Sequence, residues 1–505
     1  MPSKQGTSIE QDKVSTSHAL KRAFKKHLAG RLEEAETLYK KVLAAKPDQP
    51  EALHMMGLVN QRLGKNGFAK QLINKSLSVR PGNAKARYNL ATILKNEGNV
   101  TAAVAEYRRT VDTDPNFSEA HNNLGVVLMA QGNPKEAMEC YKKAISIKHG
   151  HAAAHNNLGN ALGALGELKE AIASYQKALS INPDYINARF NLGSTYYDLG
   201  HYKNAAANYR AFIAKEPNHK IARNQLGDTF FKLNEFGEAL RVFETAKTAH
   251  SSARILECLF TLGEYDRFYD TQAQSSDVYK TNIRAAAISA FASQQLGRPD
   301  PHPFCKRPLD FVRMYETIEG ADQSDGFLDH IIGLLGNMDA VWEPRGRTTK
   351  GGFQTRASLF DEPTGHLAQL EQALRKQIEK YADEFAAEDC GFIQSFPKTL
   401  NLTGWFVRLA KGGHQTEHLH ANGWLSGVFY LRTPKTTNPE EGAIELGLWG
   451  YDYPVLNNNY PKQRYYPEQG NLILFPSSLF HRTIPIHSAE DRLSIAFDLL
   501  PTETP

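Results

Sequence analysis

A 34-residue period fills the first half of this 505-residue chain and constrains its fold more than any other feature. Ala35, Ala69, Ala103, Ala137, Ala171, Ala205 and Ala239 recur at that step, and Gly30, Gly64, Gly98, Gly132, Gly166 and Gly200 keep the same register. Aromatic residues follow at Tyr39, Tyr107, Tyr141, Tyr175, Tyr209 and Phe243, with Ile73 in the second slot. Pro47, Pro81, Pro115, Pro183 and Pro217 close the units, and His149 replaces one proline of the series. Each position suits a helical hairpin. Glycine admits a left-handed turn, alanine lets paired helices approach closely, and proline stops the second helix.

Four independent positions in one register resemble the tetratricopeptide repeat, a helix–turn–helix of this length. The resemblance implies seven units over residues 18–250, stacked as an all-α superhelix. Its concave surface would be lined by the first helix of each unit and would suit a peptide or protein segment. Within that helix Asn89, Asn123, Asn157 and Asn191 share one position, followed by Gln225. The repeats of protein O-linked N-acetylglucosamine transferases look similar here, and there an asparagine ladder holds the backbone of an extended polypeptide. An amide side chain offers both donor and acceptor, so it can grip main chain with little regard to sequence. It can equally be satisfied by its own neighbours. Tyr196, Tyr197, Phe230 and Phe231 read as helix-packing residues.

Beyond the repeats, residues 251–300 keep helical spacing but lose the register, as expected of a helical cap and linker. The run Gly297-Arg298-Pro299-Asp300-Pro301-His302-Pro303 marks a domain boundary, with a second domain over 301–505. The polar segment 1–17 lacks the apolar core of a signal peptide and reads as a flexible leader. No run of about 18 apolar residues is present to cross a membrane. A net charge of +4 spread over the whole chain gives no electrostatic footprint for nucleic acid. Cys140, Cys258, Cys305 and Cys390 are scattered without a C-x-x-C pair, which argues against structural zinc and a disulfide framework and fits reduced thiols in a cytoplasm. No feature sets an oligomeric state.

After Pro303 the pattern changes. One amphipathic helix is expected near 365–386, and short strands are expected at 403–409, 424–432, 443–448, 471–475, 480–486 and 492–499. Many short strands at this spacing suggest a double-sheet jelly roll with flanking helices. Strand alternation would put His418 and His420 on one face, and Arg492, Ser494 and Ala496 on one face of the last strand, with Leu493, Ile495 and Phe497 toward a core. Two imidazoles two residues apart and a third from a distant strand, His481, can bind one metal and leave other positions open. An inward Arg492 beside the Ser494 hydroxyl suits a carboxylate. His414 reads as a loop residue near the site, Glu417 as pointing away, and core packing is the expectation for Trp405, Tyr430 and Trp449.

His418-Leu419-His420, Ser426-Gly427-Val428-Phe429-Tyr430, Phe475-Pro476-Ser477-Ser478-Leu479-Phe480-His481 and Arg492-Leu493-Ser494 resemble the bacterial and phage-type branch of the iron(II)- and 2-oxoglutarate-dependent oxygenases. Gly351-Gly352-Phe353-Gln354-Thr355 extends the likeness to about residues 305–500. The resemblance implies that His418, His420 and His481 bind Fe(II), that Arg492 and Ser494 anchor the distal carboxylate of 2-oxoglutarate, and that dioxygen is co-substrate. A histidine, His420, stands where the wider superfamily has Asp or Glu, leaving the site one charge more positive. Halogenases of the superfamily keep a small residue there, so His420 argues against halogenation. A peptide groove ahead of such a domain suggests a dioxygenase that hydroxylates a protein or peptide substrate. The alternatives are a cupin-like three-histidine metal enzyme acting on a small molecule, and a repeat adaptor without catalysis.

Overall fold

A computed structural model describes residues 5–274, 281–321, 326–344, 348–355, 358–436 and 438–501, with side chains from residue 17 onward. Of the flexible leader expected over 1–17, residues 1–4 lie outside that description, and the backbone from Gln5 belongs to the helix Gln5–Leu28. The chain divides into two compact units, Met1–Pro217 and Asn218–Pro505.

The first unit is a stack of helical hairpins, from Gln5–Leu28 with Leu32–Ala45 to Ile186–Asp198 with Tyr202–Lys215. The periodic glycines from Gly30 to Gly200 turn each hairpin at φ between 74° and 86°, a region that a side chain disfavours. The periodic alanines and tyrosines are buried between the paired helices: Ala171 is fully buried and Tyr175 is 4% exposed. A second glycine series makes room for these rings. A Cβ on Gly159, in the helix Ala152–Leu165, would sit 2.5 Å from the Tyr175 ring, and one on Gly125 would sit 2.6 Å from Tyr141. The aromatic of the second helix therefore packs on bare backbone of the first.

The second unit opens with the same pattern. The helices Lys220–Lys232 and Phe236–Ala246 form a further hairpin, with Asn234 taking the left-handed turn at φ 59° where earlier repeats have glycine. The helices Ala249–Thr261, Tyr265–Gln274 and Ile283–Leu296 follow. Ten strands come next: β1 (Arg313–Tyr315), β2 (Ala340–Trp342), β3 (Thr349–Thr355), β4 (Asn401–Gln415), β5 (Leu425–Arg432), β6 (Ile444–Gly447), β7 (Lys462–Tyr465), β8 (Leu472–Pro476), β9 (Phe480–Thr483) and β10 (Arg492–Leu500).

These strands form two antiparallel sheets, consistent with a jelly roll: one in the order β1-β8-β5-β10-β4-β3-β2 and one in the order β7-β6-β9. Alternation assigns the faces of the large sheet. Phe406, Phe429, Leu493, Ile495, Phe497 and Leu499 join one core with Leu367, Leu370, Leu374, Ile378 and Tyr381 of the helix Gly365–Glu384. Those helical positions recur every three or four residues and so form one stripe, each side chain contributing roughly 1.5–3 kcal/mol on burial. Arg492, Ser494, Ala496 and Asp498 alternate with that core set and point to the other face. Central strand β10, paired with β4 and β5 along its length, thus carries a core on one side and polar chemistry on the other.

Candidate metal centre

The strand alternation expected of His418 and His420 is not formed. After β4 ends at Gln415 the chain is irregular, and only His418 makes an isolated antiparallel bridge, to His481. The His418 N–H donates to the His481 carbonyl at 3.1 Å and the His481 N–H to the His418 carbonyl at 2.8 Å. His418 thereby lies against the free edge of β9, whose other edge pairs with β6. A turn closed by the Gly423 N–H on the His420 carbonyl at 3.0 Å returns the chain to β5. The pairing with β9, rather than strand alternation, is what brings the two histidines to the third.

The ligand-capable nitrogens of His418, His420 and His481 lie within 4.8 Å of one another, the group so placed among the described residues. Their ring centroids are 4.1 Å (418 to 481), 4.9 Å (420 to 481) and 5.2 Å (418 to 420) apart. His418 Nδ1 donates to the Thr416 carbonyl at 2.7 Å and His481 Nδ1 to the Leu479 carbonyl at 3.4 Å, which leaves Nε2 of each as the lone-pair nitrogen. Burial, reinforced by the neighbouring His420, pushes His418 down to about 3, and burial likewise holds His481 well below the ordinary imidazole value. Both rings are therefore neutral and able to ligate at physiological pH.

Asp498 is the residue that the sequence motifs miss. It accepts from His420 Nδ1 at 2.5 Å and from the Ser426 hydroxyl at 2.7 Å, and Ser426 also meets Ser477 at 2.8 Å. A Cβ on Gly423 would sit 3.0 Å from the Asp498 carboxyl carbon, so the glycine lets the turn close over it. A carboxylate behind a ligating histidine fixes the tautomer and raises the basicity of the ring. The carboxylate of Asp498 thus stands one hydrogen bond behind the His420 ring. The signal was available: Asp498 continues the same-face series of Arg492 and Ser494 on β10.

Arg492 is 2% exposed. Its Nη1 donates to Thr483 Oγ1 at 2.9 Å and its guanidinium carbon lies 4.7 Å from the centre of the Tyr430 ring. Its Nε has no hydrogen-bond partner, and no carboxylate among the described residues pairs with it. A buried cation without an internal anion fits an anionic ligand such as the carboxylate of an oxo acid. Ser494, 4% exposed, is the next residue on the same face.

A cavity of about 540 Å³ opens on His418 and His420, lined also by Thr348, Gln354, Trp405, Asn422 and Tyr451 among others. Trp405 is a wall of this cavity, 5.4 Å from the His420 ring, and not the core residue that was expected. Tyr430 is fully buried behind Arg492, while Trp449 lines a smaller opening on the His481 side. Glu417 lies 3.7 Å from Arg482 and lines the cavity beside His418, outside the three-histidine group, and burial pushes its carboxyl up. His414 bonds the Gly412 carbonyl at 3.2 Å at the end of β4 and stands outside the triad.

In the repeats the aligned asparagines form a regular network. Asn89 meets His54 at 2.8 Å, Asn123 donates to Tyr88 at 2.8 Å, Asn157 to Asn122 at 3.0 Å and Asn191 to Asn156 at 3.0 Å, each reaching 35 residues back into the preceding repeat. A primary amide has two donors and two acceptor sites, so capacity remains on each after this bond.

Comparison with known proteins agrees with both halves. The family model described as "Putative 2OG-Fe(II) oxygenase" matches residues 403–498. Tetratricopeptide-repeat models match 91–132 and 159–200, 118–151, and 190–254. No curated protein matches the chain. Among solved structures, MamA is 29% identical over 32% of this chain and 94% of its own, with a TM-score of 0.30. PilF of Pseudomonas aeruginosa is 16% identical over 41% and 94%, with a TM-score of 0.38. YrrB, described as a TPR protein with an unusual peptide-binding site, is 25% identical over 36% and 94%, with a TM-score of 0.32.

Proposed function

We propose that this chain, in which tetratricopeptide repeats are joined to a 2OG-Fe(II) oxygenase domain, hydroxylates a protein or peptide substrate captured by the repeats. The observation that carries the reading is the combination of three converging imidazoles with a buried, unpaired arginine on the adjoining sheet. Three histidines alone would suit many metals and reactions. Arg492 adds a demand for an anion, and an oxo acid that both chelates a metal and carries a second carboxylate meets it.

In this assignment His418, His420 and His481 hold Fe(II), and Arg492 with Ser494 binds the distal carboxylate of 2-oxoglutarate. With dioxygen, that pair supplies the oxidising power to insert one oxygen atom into a C–H bond while the other leaves in succinate. The chain's own part is geometric and electrostatic. Backbone carbonyls of Thr416 and Leu479 orient two rings, Asp498 orients the third and offsets its missing charge, and the strand β10 fixes Arg492 at a set distance. Asn89, Asn123, Asn157 and Asn191 are assigned to the backbone of the captured segment through the capacity each has left, which for Asn191 is its carbonyl oxygen, since its amide nitrogen donates to Asn156 and Asn160. Four free cysteines fit a reducing cytoplasm.

The test is aerobic succinate formation from 2-oxoglutarate by the full chain. It should require Fe(II) and disappear in Arg492→Ala, and partners captured by His481→Ala should gain one oxygen atom when treated with the wild-type protein. Turnover that persists without 2-oxoglutarate would overturn the assignment.

A further inference from the structure

The segment between β6 and β7 forms a wall of the cavity, and residues ahead of the β-sheets hold it in place. Tyr451 lines the cavity with His418 and His420. Its ring meets Phe480, the residue before His481, edge-on at 4.9 Å. A Cβ on Gly450 would sit 2.0 Å from the same Phe480 ring. Tyr451 and Asp452 both take left-handed backbone, at φ 52° and 59°, which non-glycine residues adopt when their surroundings over-determine it.

Two helices supply that constraint. Glu257, fully buried on Ala249–Thr261, accepts from the Tyr453 hydroxyl at 2.7 Å, and pairs with Arg284 at 2.6 Å and Arg254 at 2.8 Å. Arg254 is held in turn by Asp228 at 2.7 Å. Burial alone would push the Glu257 carboxyl up, but Arg284 and Arg254 hold it below the ordinary value. Arg284, on Ile283–Leu296, also lies over the Tyr451 ring at 4.5 Å. Further along the loop, Gln295 accepts from the N–H groups of Leu456 at 2.7 Å and Asn457 at 2.8 Å and donates to the Asn457 carbonyl at 2.7 Å. Such a network of charges contributes little net stability, yet it selects one geometry, because any displacement leaves a buried charge unpaired.

We propose that this buried cluster seats Tyr451 as a specificity-determining wall of the substrate cavity, so that the helices ahead of the β-sheets are part of the oxygenase site. The proposal rests on the oxygenase reading above. Tyr451 is the residue that meets substrate, and Glu257 and Arg284 are positioning residues. The same cavity is lined by the hydrogen-bonding groups of Thr348, Gln354 and Asn422 and by the acidic residues Glu417 and Asp498. An aromatic ring in a cavity of amides, a hydroxyl and acids fits a polypeptide stretch without negative charge better than an anionic substrate.

The test uses the full chain and the variants Glu257→Gln, Tyr453→Phe and Tyr451→Ala, of which Tyr453→Phe removes a single hydroxyl and is the least disruptive to folding. Hydrogen exchange over residues 449–460 should accelerate about ten-fold in Glu257→Gln and Tyr453→Phe, with β8 and β10 still protected. Removal of anaerobically loaded Fe(II) by a bulky sulfonated phenanthroline should be several-fold faster in all three variants. In a pool of short peptides, Tyr451→Ala should change which members gain oxygen while the absorbance of bound Fe(II) with 2-oxoglutarate stays as in wild type. Unchanged exchange over 449–460, or acceleration spread evenly through β8 and β10, overturns the brace. Unchanged iron removal and an unchanged peptide set in Tyr451→Ala overturn its role as a wall. A wild-type chain that retains no iron defeats the oxygenase reading and the specificity role with it, whereas the exchange result still decides the brace.

Discussion

His420 Nδ1 donates to Asp498 Oδ1 at 2.5 Å, which sets a carboxylate one hydrogen bond behind the three-histidine cluster. Removing that charge while keeping the shape should weaken the metal site. Asp498→Asn is expected to lower Fe(II) affinity by about 10–100-fold in an anaerobic titration, since partners behind a ligand typically matter by that amount. Equal affinity in the variant would mean that the carboxylate serves only to pack the turn at Gly423.

Arg492 separates function from stability. Its guanidinium is buried beside Tyr430 with Thr483 as its hydrogen-bond acceptor, and among the described residues no acid pairs with it. Arg492→Met removes an uncompensated buried charge and keeps an apolar stem of similar length. The folded second unit should be as stable as wild type or more so, by on the order of 1 kcal/mol, while 2-oxoglutarate binding is lost. All four tryptophans, Trp342, Trp405, Trp424 and Trp449, lie in this unit, so the urea midpoint of their fluorescence is the measurement. A large fall in the midpoint would contradict the reading of Arg492 as an unpaired charge.

Acid should destabilise the metal-free chain through the same histidines. Burial pushes His418 down to about 3 in the folded state, against about 6.5 for an exposed imidazole, and shifts His481 in the same direction. Between those values the unfolded chain binds the proton and the folded chain does not. The stabilisation is therefore complete above about pH 6.5 and is lost as pH falls toward 3, with a slope of about 1.4 kcal/mol per pH unit for each such histidine. The tryptophan midpoint of His418→Gln should fall less steeply over that window, by about one proton.

Two glycines in one repeat helix should respond oppositely to alanine. At Gly163 nothing lies within 4 Å of the added Cβ, so Gly163→Ala should stabilise the first unit by about 0.5–1 kcal/mol through helix propensity. At Gly159 the Cβ would meet the Tyr175 ring at 2.5 Å, and Gly159→Ala should destabilise by about 1–3 kcal/mol. Thermal unfolding followed by circular dichroism distinguishes them, and a stabilising Gly159→Ala would show that the ring can move aside.

The repeats were legible because each hairpin restates the same steric requirements, and a period survives local irregularity. Strand alternation likewise placed Arg492 and Ser494, because β10 is central, paired on both sides and nine residues long. The short strands β1, β2 and β7 carry three or four residues each, too few to display a period, and their place is set by the strands they pair with. His418 and His420 were expected to meet through a regular strand, yet they meet through a bridge to β9 that no local pattern encodes. Tyr451 escaped notice for a related reason. Its left-handed backbone is imposed by Glu257, Arg284 and Phe480, residues distant in sequence.

The bridge between His418 and His481 also bears on how the chain meets its metal. Because main-chain bonds at 3.1 and 2.8 Å join the two residues directly, the spacing of their imidazoles is inherited from strand geometry and exists before any ion arrives. Such a socket can empty and refill without refolding. Imidazole donors of this kind accept copper, nickel and zinc more tightly than ferrous iron, so occupancy follows the ions that the cell makes available. On the proposed oxygenase reading, activity would follow the supply of Fe(II) and fall under zinc excess while the fold stays intact.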